Sequence, residues 1–156
     1  MLDAEAIALF EGGSALLVGS VGPGNEPHAS RGFGVTILDG TGTRARVLVS
    51  ADEPSTLDNL RKNARVAVTA TDVRNLRGIQ VKGHVTGVEA PTPEDRDCAR
   101  RYLDAFFAVV YESDGVEREL LERVIPTDYV ACTIAIDGSF DQTPGPGAGT
   151  RIERSA

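Results

Sequence analysis

The chain is 156 residues long, 41% hydrophobic and 25% charged, the balance of one water-soluble domain with enough apolar material for a core. Its formal net charge of −7 excludes a general nucleic-acid binder, which needs a basic face, and disfavours an anionic membrane surface. The two cysteines, Cys98 and Cys132, have neither CxxC nor metal-ligand spacing and read as reduced thiols in a core that, without Trp, rests on Val, Leu, Ile and Ala.

Asp3 caps a predicted helix through Phe10, closed by Gly12-Gly13. Ser14 to Ser20 reads as a strand, and Val21 to Pro27 as a turn-rich loop. A second strand, His28 to Leu38, is broken by Gly32 and Gly34, which suggests a bulge or a close approach, here to a ligand. Asp39-Gly40 opens a hairpin turn into Arg44 to Ser50, which alternates and then turns wholly apolar, as a buried barrel strand would.

Pro54 to Asn63 is a predicted helix, with Pro at its start and Arg61 and Lys62 in its last turn. Arg65 to Ala70 and Gly78 to Glu89 are strands around the polar loop Thr71 to Arg77. In the second of these, Ile79, Val81, Gly83 and Val85 share one face, and Gln80, Lys82, His84 and Thr86 the other. Thr92 then caps a long helix with Pro93 at its first position and a packing face of Ala99, Tyr102, Leu103, Phe106 and Val110. A second helix over Val116 to Val124 uses Leu120, Leu121 and Val124, and a β-branched strand runs from Tyr129 to Ile136. The Pro/Gly-rich tail from Thr143 reads as neither helix nor strand; it is either a disordered or merely extended terminus or, with Phe140 before it, a rigid loop over a pocket or subunit interface.

The expected fold is mostly β with inserted helices, a six-stranded antiparallel barrel in a single domain over 1–156. A helical insertion falls at about 92–125 and the tail begins at about 141. The acidic N-terminus lacks a signal-peptide pattern and no stretch is long enough to span a bilayer, so a cytoplasmic protein is expected.

Most familiar chemistry finds no support. Neither His28 nor His84 has a second ligand at metal spacing, no GxSxG elbow exists, and Gly19 to Gly24 (GSVGPG) is a hairpin turn rather than a dinucleotide fingerprint. The best candidate is the strand-to-helix turn after Val49 and Ser50. Free N–H groups and the helix dipole there suit an anion, and Ser55 and Thr56 lie in the first turn; the plainer reading is that Ser55 solvates the helix start.

The strand–helix–strand–strand block from Arg46 to Val85 resembles the flavin-binding split barrel of the pyridoxamine 5'-phosphate oxidase family, and the resemblance covers about residues 10–90 plus the last strand. Asn63-Ala64-Arg65 resembles the family's Asn-Pro-Arg, and Gly83 its strand glycine. The resemblance implies that Val49 and Ser50 contact a flavin, and it sets Ser55 and Thr56 where the family has an Arg–Lys pair gripping the phosphate. Arg31 matches an upstream family Arg, whereas the family's second upstream cation falls near Thr36 or Ile37, without charge. The family's glutamine falls at Gly78, and this chain carries Gln80 on the same strand face. No Arg-Leu-Ala-Pro-type signature is present, so vitamin B6 oxidation is not expected.

The resemblance therefore implies an FMN-binding homodimer that oxidises or reduces a small molecule at an interface cleft. Its cofactor residues are expected among Arg31, Val49, Ser50, Ser55, Thr56, Gln80 and Lys82, with Arg31, Arg46, Lys82 or a partner residue compensating for the missing cations. Arg46 and Lys82 also have an ordinary reading as strand-surface charges, the readier one for Arg46. No catalytic acid or base is singled out. The rival expectations are a non-enzymatic barrel holding haem, through His28 or His84, or a deazaflavin, and an interaction domain with no ligand.

Overall fold

A computed structural model describes residues 2–152. The chain runs α1 (Ala4–Glu11), β1 (Ala15–Val21), β2 (Pro27–Ile37), β3 (Arg44–Ser50), α2 (Pro54–Lys62), β4 (Arg65–Thr71), β5 (Gly78–Glu89), α3 (Pro93–Asp114), α4 (Arg118–Leu121), a 3₁₀ turn (Glu122–Val124), β6 (Tyr129–Asp141) and β7 (Arg151–Ile152). All pairings are antiparallel in the order β3-β2-β1-β4-β5-β6-β7, and β3 also pairs with β6. That last ladder closes six strands into a barrel and leaves β7 as an outer addition.

Strand alternation fills the interior. Leu16 and Val18 of β1, Val66, Val68 and Ala70 of β4, and Ile79 and Val81 of β5 are all buried. On β3, Ala45, Val47 and Val49 are likewise buried, and so is Leu48 between them. The unbroken apolar run has a simple cause: Leu48 meets Gly34 beside Cys98 and Ala99 of α3, so both faces of the strand are covered.

The glycine-broken strand does form a bulge, with the β2–β3 register shifting between Gly32 and Val35. The close approach there is made by the protein itself. Gly34 has φ of 144°, a conformation that side chains rarely adopt, and an added Cβ would sit 3.1 Å from Cys98 Sγ. The bulge thus seats α3 on the barrel and makes no room for a ligand.

The helix starts follow their cap residues. Asp3 accepts a hydrogen bond from Ala6 N (2.7 Å), and Thr92 and Asp95 form a reciprocal capping box on α3. Asp95 has a second role. Its carboxylate receives Arg46 Nε and Nη2 at 2.8 Å each, while Arg46 Nη1 donates to Glu89 and to Thr133 Oγ1. The Arg46 and Asp95 side chains are only 15% and 9% exposed. Arg46 is therefore a half-sequestered clamp between strands and helix, which corrects its reading as a strand-surface charge. Burial alone would raise the Asp95 pKa, but the hydrogen bonds from Arg46 and Thr92 outweigh it and hold the carboxyl below its ordinary value.

Three other expectations change. The final strand extends five residues beyond Ile136, to Asp141, and the tail returns to add β7 through Ser139↔Ile152 and Phe140↔Arg151. The tail thus does contain strand; residues 153–156 lie outside the described set. The helix expected over Val116 to Val124 is one α-turn followed by one 3₁₀ turn, with Leu120 and Val124 exposed. Four residues of helix cannot present a buried face of their own.

α2 lies over the barrel, burying Thr56, Leu57 and Leu60, while Asn59 Nδ2 donates to Ser20 Oγ on β1 (3.1 Å). Thr56 is 0% exposed and its hydroxyl has no hydrogen-bond partner. Among the described residues, no helix is long and apolar enough to cross a membrane.

Two stability outcomes follow from these contacts. Asp95→Asn should cost about 3 kcal/mol in urea unfolding at neutral pH, since it leaves Arg46 poorly compensated. The Asp95 carboxyl titrates lower in the folded than in the unfolded chain, so its contribution is present above about pH 4 and fades as pH falls through the folded value. The gap between wild type and Asp95→Asn should accordingly narrow in acid; a constant gap from pH 7 to pH 3 would contradict the assignment. Thr56→Val, which removes a buried unpaired hydroxyl, should raise unfolding stability by about 1 kcal/mol.

Candidate functional site

α3 covers the outside of the barrel near β2, where Gly34 meets Cys98 and Ala99 and where Arg31 lies against the Phe106 ring, 5.2 Å from its centroid. The outer face of β1, β4 and β5 carries no such cover and holds a cleft of about 740 Å³. Its floor is a cross-strand row of small residues, Ala29↔Gly19↔Ala67, continued by Lys82 and Gly138. Small side chains in register leave a flat patch of backbone, the surface on which a planar ring can lie.

Polar groups surround this floor. Arg65 on β4 pairs in register with His84 on β5, and Lys82 stands two residues along the same strand face. Gln80, next along that face, donates to Thr69 Oγ1 (2.9 Å). At β6 the ladder slips between Lys82 and Gly83, which leaves Asp137 out of register, and its carboxylate lies 3.4 Å from His84 Nδ1. Gly83 is required at this slip, because a Cβ there would overlap the Ala135 carbonyl oxygen. Lys82 Nζ rests over the Phe140 ring, 4.6 Å from its centroid, and Arg151 approaches the same ring at 5.8 Å.

The expected cofactor residues separate into four places. Gln80 and Lys82 line the cleft, as do both histidines. Ser55 is exposed and lines a second cleft of about 470 Å³ with Asn59 and Lys62 on the outer side of α2; Val21 borders both clefts. Arg31 shares a cross-strand row with Leu17, Thr69 and Gln80 but lies three strands from Gln80, about 14 Å at the usual strand spacing. Val49 and Thr56 point into the protein at 1% and 0% exposure, and buried Ser50 receives the Asp52 amide (3.0 Å).

The strand-to-helix turn makes a poor phosphate cradle. Asp52 and Glu53 bring two carboxylates to it, Asp52 is engaged by Thr127, and Pro54 at the first helical position has no N–H to offer. Of the two hydroxyls expected to replace the family's cations, only that of Ser55 faces outward. The side chains that residue counting misses are Arg65 and Asp137. In the sequence Arg65 stands out only for its place after Asn63-Ala64, and its position opposite His84 depends on the β4–β5 register. Asp137 owes its position to the β6 slip.

Neither thiol belongs to the site. Cys132 is buried in β6, and burial pushes its pKa up to about 11; Cys98 sits under α3 against Gly34. Among the described residues, no group of three or more His, Cys, Asp or Glu is placed to hold a metal ion.

No family model matches this sequence, and no curated protein matches it significantly. Solved structures do match in shape. HupZ from Group A Streptococcus superposes with a TM-score of 0.58 at 14% identity, over 96% of this chain and 100% of its own. A candidate pyridoxamine 5'-phosphate oxidase from Lactobacillus delbrueckii gives 0.57 at 15% identity, over 89% and 93%. An F420 reductase gives 0.60 at 17% identity, over 88% and 98%. The closed barrel, the α2 connection between β3 and β4, and these superpositions agree that the chain has the split-barrel fold of the pyridoxamine 5'-phosphate oxidase-like proteins.

Proposed function

We propose that this chain binds a flavin-type cofactor, FMN or a deazaflavin, in the β1–β4–β5 cleft and serves as an oxidoreductase for a small molecule. The observation that carries the reading is the cleft itself: a flat Ala29–Gly19–Ala67 floor with the Gln80 amide and the Lys82 ammonium at one side. A planar isoalloxazine needs an apolar platform for its faces and a few polar groups at its edge. Bound there, a flavin would supply hydride transfer, and the protein would supply position and electrostatics. The likeness to an F420 reductase and to a candidate pyridoxamine 5'-phosphate oxidase supports a flavin-like ring over other planar ligands.

The same face supports a homodimer. Leu17 is 51% exposed in mid-strand, between Arg31 and Thr69 in register and beside the cleft floor. A second copy seated here would cover Leu17 and wall the open side of the cleft, excluding water from the ring.

Haem is a second reading with its own support. Both histidines line the cleft, and the Asp137 contact at His84 Nδ1 is the kind of partner that orients an imidazole for ligation through Nε2.

Flavin fluorescence quenching tests the first reading. Added FMN or F420 should quench, and Ala67→Trp, which fills the floor, should abolish the effect while the circular dichroism spectrum is kept. Absence of binding by either cofactor would end the flavin reading, and a Soret shift with added hemin that His84→Ala removes would put haem in its place. Sedimentation should give a dimer for the wild type and a monomer for Leu17→Glu; a monomeric wild type would end the dimer reading.

A further inference from the structure

We propose that the cleft is built for an anionic ligand, and that Arg65 and Lys82, on neighbouring strands, hold its phosphate or carboxylate group in place of the α2 turn. The inference deepens the cofactor reading by using the same cleft, but it requires only an anion and no flavin.

The charges of the chain as a whole make this arrangement notable. The chain has 23 acidic and 16 basic residues, and seven of the fifteen Lys and Arg among the described residues are ion-paired. These are Arg46, Lys62, Arg74, Arg77, Arg96, Arg100 and Arg118. Among the described residues, neither Arg65 nor Lys82 has a carboxylate within 4.0 Å. Two cations, with His84 between a cation and Asp137, thus meet in one concave site that holds a single acid. A cleft with unpaired positive charge in an acidic protein concentrates anions against the field of the rest of the surface.

Both cations are also positioned, by neutral partners. Arg65 Nη2 donates to Asn25 Oδ1 (2.7 Å) and Arg65 Nε to Asn63 Oδ1 (3.2 Å), which leaves the remaining guanidinium hydrogens for a ligand. Lys82 is steadied over the Phe140 ring and has none of its three hydrogens committed to a partner in the described residues. The register places Arg65 opposite His84 and Lys82 opposite Ala67, so the two side chains start diagonally across one strand pair, with the Arg65 head resting toward Asn25 and the Lys82 head toward Phe140. A tetrahedral or carboxylate group bound between these origins would accept from both once each long side chain swings in from its resting partner. Asn25 and Asn63 are positioning residues, since they would act through Arg65.

Titration of FMN and riboflavin, which differ by the phosphate, reads the pair directly, and calorimetric titration of inorganic pyrophosphate reads it without a flavin. Wild type should prefer FMN and should bind pyrophosphate more weakly as salt is raised. Lys82→Ala and Arg65→Ala should each lower the FMN preference by about tenfold, with riboflavin affinity nearly unchanged. Lys82→Ala leaves no backbone or buried contact behind and serves as the test should Arg65→Ala unfold. A preference unchanged in Lys82→Ala, or lost in Ser55→Ala instead, would return the anion to the α2 turn and overturn the proposal. Pyrophosphate binding that depends on Lys82 without any flavin binding would uphold the anion site while ending the flavin reading. No binding of either probe would end both.

Discussion

The Arg46 guanidinium is the point at which this fold is fastened. It rises from β3, the strand whose ladder with β6 closes the barrel, and reaches Asp95 on α3, Glu89 at the end of β5 and Thr133 on β6. The cost of drawing a guanidinium and a carboxylate partly out of water is repaid here only because nearly every lone pair and hydrogen finds a partner. One consequence is geometric. With its first turn tied to β3, α3 must run along β2, where Gly34 admits Cys98 and where Tyr102 can donate to the Ser14 carbonyl (2.9 Å). The helix therefore covers one side of the barrel and leaves the β1–β4–β5 face bare. The open cleft is where α3 does not go.

Much of this architecture is legible in the sequence because it depends on local chemistry. The alternation of Leu16, Val18 and Ser20, the Thr92–Asp95 capping box, the Pro54 helix start and the glycine-marked bulge are all set by neighbours a few residues apart. What escapes reading from sequence depends on distant pairings. Arg46 looks like any strand charge until Asp95, 49 residues later, is placed above it. Arg65 looks like a strand-opening cation until the β4–β5 register sets it opposite His84. The tail gives no strand periodicity because β7 is only two residues long and is ordered by the edge of β6.

The turn before α2 shows how spacing can be kept while chemistry is lost. Counting from Asn63 sets Ser55 and Thr56 in the family's cation positions without a gap, yet a position in sequence is not a direction in space. α2 must bury Leu57 and Leu60 to cover the barrel, and at 100° per residue Thr56 goes inward with them. A lysine at that position would have to thread its chain past the core or leave a charge beside Leu57. The two acids before the helix, Asp52 and Glu53, then find no opposing cation in the turn. With Asp52 and Glu53 before it, Pro54 at its first position and no side chain capping it, the α2 N-terminus offers an anion neither a cation nor a full set of donors.

An anion site on a strand face needs a rigid backbone beneath it. The β4–β5 pair meets that requirement. Its register is continuous from Arg65↔His84 to Thr71↔Gly78, and the slip at Gly83 acts on the opposite, β6 side. Side chains on such a ladder have fixed origins, so an anion shared by Arg65 and Lys82 would have to order their rotamers but no backbone. The same rigidity limits specificity. A strand face offers charge and a flat floor but few directed donors beyond Gln80 and His84, so selection among anions must come from whatever closes the open side of the cleft. A second copy seated on Leu17 could supply that closure, because it would bring side chains of its own over a ligand that the strands alone hold only from beneath.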